Sequence, residues 1–186
     1  MIVKYLYEPN LEIASEELLI RPIRESDQSA LLEIYGDEQI YRYRPGLPRK
    51  TARLIEKLLQ GFRKEMEEKT AVYLAVCNIQ DISRPIGTVE IFHMEPRIEK
   101  VEIGYTISVK EQGKGYGKKT VGMLTEYLFN ICEANRITAT VHPDNIVSQK
   151  VLLKNGFIKE GVEREGAFWQ GIGYVDIVCF GKLKKD

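Results

Sequence analysis

Cysteine is scarce and unpaired in this sequence. Cys77, Cys132 and Cys179 are widely spaced, each lies in apolar sequence, and no Cys-x-x-Cys pair occurs. That pattern speaks against a disulfide framework and a cysteine zinc site. Histidine is scarcer still: His93 and His142 are far apart and match no ligand spacing such as HExxH, so no metal is expected. His142, just before Pro143, reads as structural. Neither sign of charge is in excess, since Lys plus Arg and Asp plus Glu each number 27. A zero formal net charge argues against a nucleic-acid or membrane binder working through bulk charge. Long apolar runs are missing too. The longest uncharged stretch, Thr70–Gln80, is 11 residues, against the roughly 20 that a membrane helix needs. Met1-Ile2-Val3-Lys4-Tyr5 lacks the charged-then-apolar layout of a signal peptide. The expectation is a cytoplasmic chain folded as one domain over residues 1–186, with 44% apolar residues to fill its core.

What is present falls into periodic segments. Residues 1–15 show no period and read as an arm laid on the domain. Leu18–Ile23 is short and β-rich, a first strand; Asp27 can then cap a helix carrying Ala30, Leu31, Ile34 and Tyr35. After an Arg- and Tyr-rich loop, Ile55, Leu58, Leu59, Phe62 and Met66 recur at helical spacing. Ala71–Ile79, Ile86–Met94 and Val101–Val109 read as an antiparallel meander, with a turn at Asp81–Pro85. Gly-rich Gln112–Gly117 leads into a helix over Thr120–Cys132, whose Val121, Leu124, Leu128 and Ile131 mark one face. Ile137–His142 is a strand, Ile146–Asn155 a short helix stopped by Gly156, and Phe157–Glu165 and Tyr174–Leu183 the last strands. The order gives a mixed α/β layer architecture with a β-loop-helix unit at its centre.

That unit carries the chemistry. A strand runs into Gly113, Gly115 and Gly117 and then a helix. Glycines allow close backbone approach, and first-turn N–H groups with the helix dipole suit a phosphate. Lys114 and Lys118 add positive charge. On these grounds alone a tight turn of no chemical meaning is an equal reading. Two related motifs fail on spacing. A P-loop would need glycine at Gln112 and Ser or Thr at Lys119, while a dinucleotide fingerprint would need glycine at Lys118 or at Thr120. Gln112-x-x-Gly115-x-Gly117 remains.

From about Leu18 to about Leu183 the chain resembles the GNAT superfamily of N-acetyltransferases, and within it the ribosomal-protein N-acetyltransferases of the RimJ/RimL type. The resemblance rests on Gln112–Gly117 together with Glu102-Ile103-Gly104-Tyr105, Asn145-x-x-Ser148, Asn155-Gly156-Phe157, Glu160-Gly161-Val162 and Gly173-x-x-Asp176. It implies the GNAT-type fold, a central mostly antiparallel sheet flanked by helices. It also implies acetyl-CoA as co-substrate. The pyrophosphate would lie on the backbone of Gly113, Gly115, Gly117 and the neighbouring Lys114, Tyr116 and Lys118. The pantetheine arm would pair with Ile107, Ser108 and Val109 as an added strand. Asn145 would hydrogen-bond the arm, a role it can combine with capping the next helix.

Acetyl transfer needs a neutral amine, donors for the oxyanion and a proton for the leaving thiolate. The backbone of Ile107–Val109 offers the donors. Glu102 is the favoured base, a carboxylate among apolar neighbours, with Lys100 as a plain ion-pair partner on the same strand face. Glu90 reads as solvent-facing. By the resemblance Ser148 takes the place of the thiol-protonating tyrosine of other GNAT enzymes, and Tyr105 is a packing residue. A serine hydrolase is excluded, because no Gly-x-Ser-x-Gly turn exists. The acceptor side falls on Tyr41–Arg49 and Ala167–Gln170. There Arg42, Arg44 and Arg49 point to acidic partners and Phe168 and Trp169 to apolar ones, although solvated loop charges and core packing explain them as well. The leading reading is acetylation of a protein N-terminal α-amine. The alternatives are a small amine such as a polyamine or antibiotic, and a non-catalytic acyl-CoA sensor. The family and the apolar C-terminal strands are compatible with a homodimer.

Overall fold

A computed structural model describes residues 1–186. The elements are β1 (Ile13–Ala14), β2 (Leu18–Pro22), α1 (Gln28–Gly36), α2 (Ala52–Glu67), β3 (Ala71–Asn78), β4 (Asp81–Glu95), β5 (Lys100–Ile107), α3 (Tyr116–Asn130), β6 (Arg136–Val141), α4 (Ile146–Lys154), β7 (Ile158–Trp169) and β8 (Gly173–Leu183). The strands form one eight-stranded sheet in the order β1-β2-β3-β4-β5-β6-β8-β7. Every neighbouring pair is antiparallel except β5 with β6.

Period-2 alternation sends successive side chains to opposite faces of this sheet. On one face Leu18, Ile20, Val72, Leu74, Val76, Val89, Ile91, Val101 and Ile103 meet Val121, Leu124 and Leu128 of α3 in the main core. On the other, α1 and α2 bring Leu31, Ile34, Tyr35, Ile55, Leu59 and Phe62 together in a smaller one. Leu6, Leu11 and Ile13 of the N-terminal segment are buried in the main core, and Ile13 pairs with Ile20 in the sheet. No helix is long and apolar enough to cross a membrane.

Several local expectations are corrected. Asp27 stands at the start of α1 but makes no side-chain cap bond. Its oxygens accept from Nη1 and Nη2 of the buried Arg21 at 2.8 Å and from the Arg24 N–H at 2.7 Å. An ion that would otherwise be stranded in the core outranks the helix start as its partner. The β3–β4 turn is at Ile79–Gln80, and Asp81–Pro85 lies within β4 where the register shifts. Helix α3 begins at Tyr116, earlier than the apolar pattern indicated, because Gly115 at φ +85° redirects the chain there. Ile131, past the end of α3, is exposed, and Cys132 takes the buried position instead.

Candidate active site

The parallel pair β5–β6 makes the site. Pairing covers only Lys100, Val101 and Glu102 against Arg136, Ile137 and Thr138, and then the strands part. The Val101 carbonyl accepts from Thr138 Oγ1 across that pair, and the Ile107 carbonyl accepts from Gln112 Nε2 at 3.0 Å. By alternation, Ile103, Tyr105 and Ile107 present their backbone polar groups to the gap rather than to β4. Past the Glu102–Thr138 pair no strand receives those of Tyr105 and Ile107, so the gap has a free main-chain edge.

The glycine loop closes one end of this gap. Gly113 and Gly115 are left-handed at φ +80° and +85°, and a Cβ on either would meet nothing within 4 Å. They therefore serve the backbone path and leave open space in front of it. Gly115 precedes α3 with no side-chain cap, so the N–H groups of Tyr116, Gly117 and Lys118 have no acceptor within the helix. Gly117 has a different job. A Cβ there would lie 3.3 Å from the Tyr105 ring, so its absence lets α3 sit close on β5. Gln112 ties the loop to the strand end through Ile107, and Lys114 pairs with Glu111 at 2.8 Å on the surface. Lys118 is exposed on the first turn of α3. The strand stops at Ile107. By the same alternation the Ser108 N–H goes to β4, to the Ile86 carbonyl at 2.8 Å, and so is not offered to the gap, while Val109 opens a 3-10 turn.

Helix α4 faces Tyr105. Asn145 caps it, its Oδ1 accepting from the Ser148 N–H at 3.1 Å. The Tyr105 hydroxyl donates to Ser148 Oγ at 3.1 Å, so Tyr105 is more than packing. Burial pushes its phenol above the usual range, with the Ser148 bond pulling part of the way back, which keeps it a proton donor at neutral pH.

Even-numbered side chains of β5 look the other way, toward α1 and α2. Glu102 accepts from Thr140 Oγ1 at 2.8 Å and meets His93 Nδ1 at 3.0 Å. Lys100 is not its partner, because that ammonium goes to Glu95 at 2.8 Å. Glu90 is not solvent-facing. Arg44 reaches in from the loop after α1, Nη2 to Glu90 at 2.5 Å and Nη1 to Thr106 Oγ1 at 2.7 Å, with its guanidinium over the Tyr35 ring. Of the loop arginines, Arg42 lies over the Tyr43 ring. His142 is stacked between Tyr43 and Trp169, at ring distances of 5.5 and 4.9 Å. Trp169 is buried and Phe168 is 66% exposed, so the two hairpin aromatics have different roles. The glycine loop, Asn145, Ser148 and Tyr105 thus gather on the α3–α4 side, and Glu102 on the opposite face. Sequence reasoning missed His93 and Arg44–Glu90, which are brought together by a strand irregularity and by a loop folding back. Neither leaves a periodic signal.

The family model for the acetyltransferase (GNAT) domain matches residues 17–158. An N-acetyltransferase of Bacillus subtilis (strain 168), YoaA, itself uncharacterized, is 26% identical over 162 residues, 87% of this chain and 91% of its own. Among solved structures, a ribosomal-protein-S5-alanine acetyltransferase from Vibrio fischeri superposes with a TM-score of 0.79 at 22% identity, covering 95% of this chain and 98% of its own. A spermidine N-acetyltransferase from Vibrio cholerae, in complex with CoA and spermine, gives 0.78 at 22% identity, covering 92% and 98%.

Proposed function

The chain belongs to the GNAT acetyltransferases and is an N-acetyltransferase, and we propose that its acceptor is the α-amine of a protein N-terminus, of the kind ribosomal proteins present. The observation that carries this choice is the Arg44–Glu90 pair. A polyamine needs unpaired carboxylates along its path, and here one of the two acceptor-side glutamates is already neutralised by an arginine. An N-terminal peptide carries one cation and a neutral main chain, which suits a single carboxylate at Glu102 with aromatic walls at Tyr43, His142 and Trp169. The ribosomal-protein acetyltransferase among the structural neighbours is compatible with this choice.

Acetyl-CoA, the donor used by the family, fits the residues present. The loop from Gly113 to Lys118 offers main-chain donors with open space before them, as a pyrophosphate requires. The free edge at Tyr105 and Ile107 takes the pantetheine arm as an added strand and gives N–H groups to the thioester oxygen as it becomes an oxyanion. Asn145 keeps its amide N–H for the arm while its oxygen caps α4. Ser148 hands a proton to the leaving thiolate. Because Tyr105 donates to Ser148 Oγ, the serine's own proton is not consumed in that bond and remains to be given. The acceptor ammonium must lose its proton on the opposite face, where the Glu102 carboxylate is held by Thr140 and His93.

The test is thiol release from acetyl-CoA, with free-N-terminus peptides in one set and polyamines or aminoglycosides in another. Release with peptides is expected. Release with small amines alone would overturn the acceptor assignment. Silence in both, with acetyl-CoA bound, would favour a sensor.

A further inference from the structure

His93 stands where regular sheet geometry would not put it. Along β4 the odd residues Val89 and Ile91 are buried in the main core beneath α3. The even residues Thr88 and Glu90 look to the other face, where they meet Tyr35 and Arg44. Strict alternation would send His93 to the core face. Instead the β4–β5 register slips between Phe92 and Glu95, and His93 takes a left-handed backbone at φ 47°, unusual for a residue with a side chain. The slip puts its ring beside Phe92, centroids 4.9 Å apart, and its Nδ1 3.0 Å from Glu102 Oε2. A strained residue of this kind persists only where its surroundings hold it, and such residues gather at functional sites.

We propose that His93 is the group that takes the proton from the acceptor amine, with Glu102 and Thr140 as positioning residues behind it. The inference rests on the transferase reading above. An ionised carboxylate only accepts, so the Nδ1 of the neutral ring carries its proton toward Glu102, and Nε2 is left with a free lone pair. The ring is 71% exposed and no protein group takes Nε2. Glu102 cannot swing away, because Thr140 Oγ1 holds its second oxygen from β6 at 2.8 Å. Glu102 is also the last residue of β5 paired with β6, so the dyad sits where the gap opens.

The step balances as follows. The acceptor arrives as an ammonium, and Nε2 takes one proton, leaving a neutral amine and an imidazolium that Glu102 stabilises. The amine lone pair forms the C–N bond at the thioester carbonyl, and the C=O electron pair moves to oxygen. Collapse breaks the C–S bond. The second nitrogen proton reaches the thiolate through Ser148, and His93 releases its own to solvent from its exposed edge.

Two variants test this without disturbing the bulge, since asparagine and glycine both accept a left-handed backbone. With whichever acceptor the wild-type protein turns over, His93→Asn should lower kcat about 100-fold while the KM for acetyl-CoA holds. His93→Gly should lose as much and recover when millimolar imidazole is added, a rescue that a merely structural histidine would not give. Glu102→Gln should cost less than either. An active wild-type protein whose His93 variants keep their kcat, or lose it without imidazole rescue, would overturn the assignment. A larger loss in Glu102→Gln would return the proton to the carboxylate. A wild-type protein that turns over no acceptor would overturn the transferase reading instead.

Discussion

Gly115→Val separates the ligand-binding role of the glycine loop from its folding role. Gly115 is left-handed at φ +85°, and a Cβ built on it meets no atom within 4 Å. The folded state therefore suffers backbone strain and no clash, about 1–2 kcal/mol for an L-residue in that region. A chain of 186 residues unfolds with an entropy near 0.4 kcal/mol/K, so Tm should fall by about 3–5 K. Binding should suffer far more. The valine side chain projects into open space beside the loop, where on the proposed reading the pyrophosphate meets the Tyr116, Gly117 and Lys118 N–H groups. Losing two charge-assisted hydrogen bonds costs about 3–6 kcal/mol, or roughly 10²–10⁴ in Kd. Titration calorimetry with acetyl-CoA, beside a thermal melt, measures both. Unchanged affinity with the small drop in Tm would refute the phosphate-loop assignment, and a collapse of the fold would refute the strain estimate.

Ser148→Ala should lower kcat more than it weakens acetyl-CoA binding, and equal rates would remove Ser148 from the acid role. Arg44→Ala frees the Glu90 carboxylate and should raise the ratio of spermine to peptide turnover; an unchanged ratio would show that the Arg44–Glu90 pair does not select the acceptor. Asp27→Ala leaves the buried Arg21 without its partner and should cost about 3–5 kcal/mol, a Tm drop on the order of 10 K, whereas a loss of one or two kelvin would mean the pair contributes little. Burial raises the phenols of Tyr7, Tyr35 and Tyr127 to about 12. As pH climbs above about 10 the unfolded chain releases phenol protons that the fold keeps, so stability should fall through that window; a Tm flat from about pH 9 to about pH 11.5 would contradict this.

Most of the fold was legible in the sequence because it is written in periods. The 3.6-residue spacing of Ile55, Leu59 and Phe62 and the alternation along β3 to β5 are repeated signals, each residue supporting the next. The glycine loop was legible for another reason, since a left-handed backbone and close helix packing admit few residues besides glycine. What escaped depends on single contacts. Asp27 looked like a helix cap, and only tertiary contact shows Arg21 claiming it. Arg44 looked like a surface charge until the loop after α1 folded it onto Glu90. Val109 looked like strand, but it opens a 3-10 turn that runs to Glu111. His93 was dismissed by metal-ligand spacing, a test blind to a partner on the neighbouring strand.

The two-faced character of β5 gives the site its logic. Odd positions place Tyr105 under α3 and α4, within reach of Ser148, and even positions place Glu102 on the side of α1 and α2. Acetyl transfer to an amine needs a proton given on the thiol side and one taken on the amine side. Groups with such opposite tasks are best kept from neutralising each other. One thickness of sheet separates them here, and on the proposed reading the thioester lies between, where β5 parts from β6 after Glu102. Gly104 belongs to the same arrangement. A side chain there would begin 3.5 Å from the Phe92 ring and 3.6 Å from Glu90 Oε2, filling the acceptor face between Glu102 and the Arg44 pair. A one-residue slip in β5 would exchange the faces and turn Tyr105 away from Ser148 and Glu102 away from His93. The irregularity at Phe92–Glu95 is the one break in that alternation, and it adds a histidine to the face that already holds Glu102.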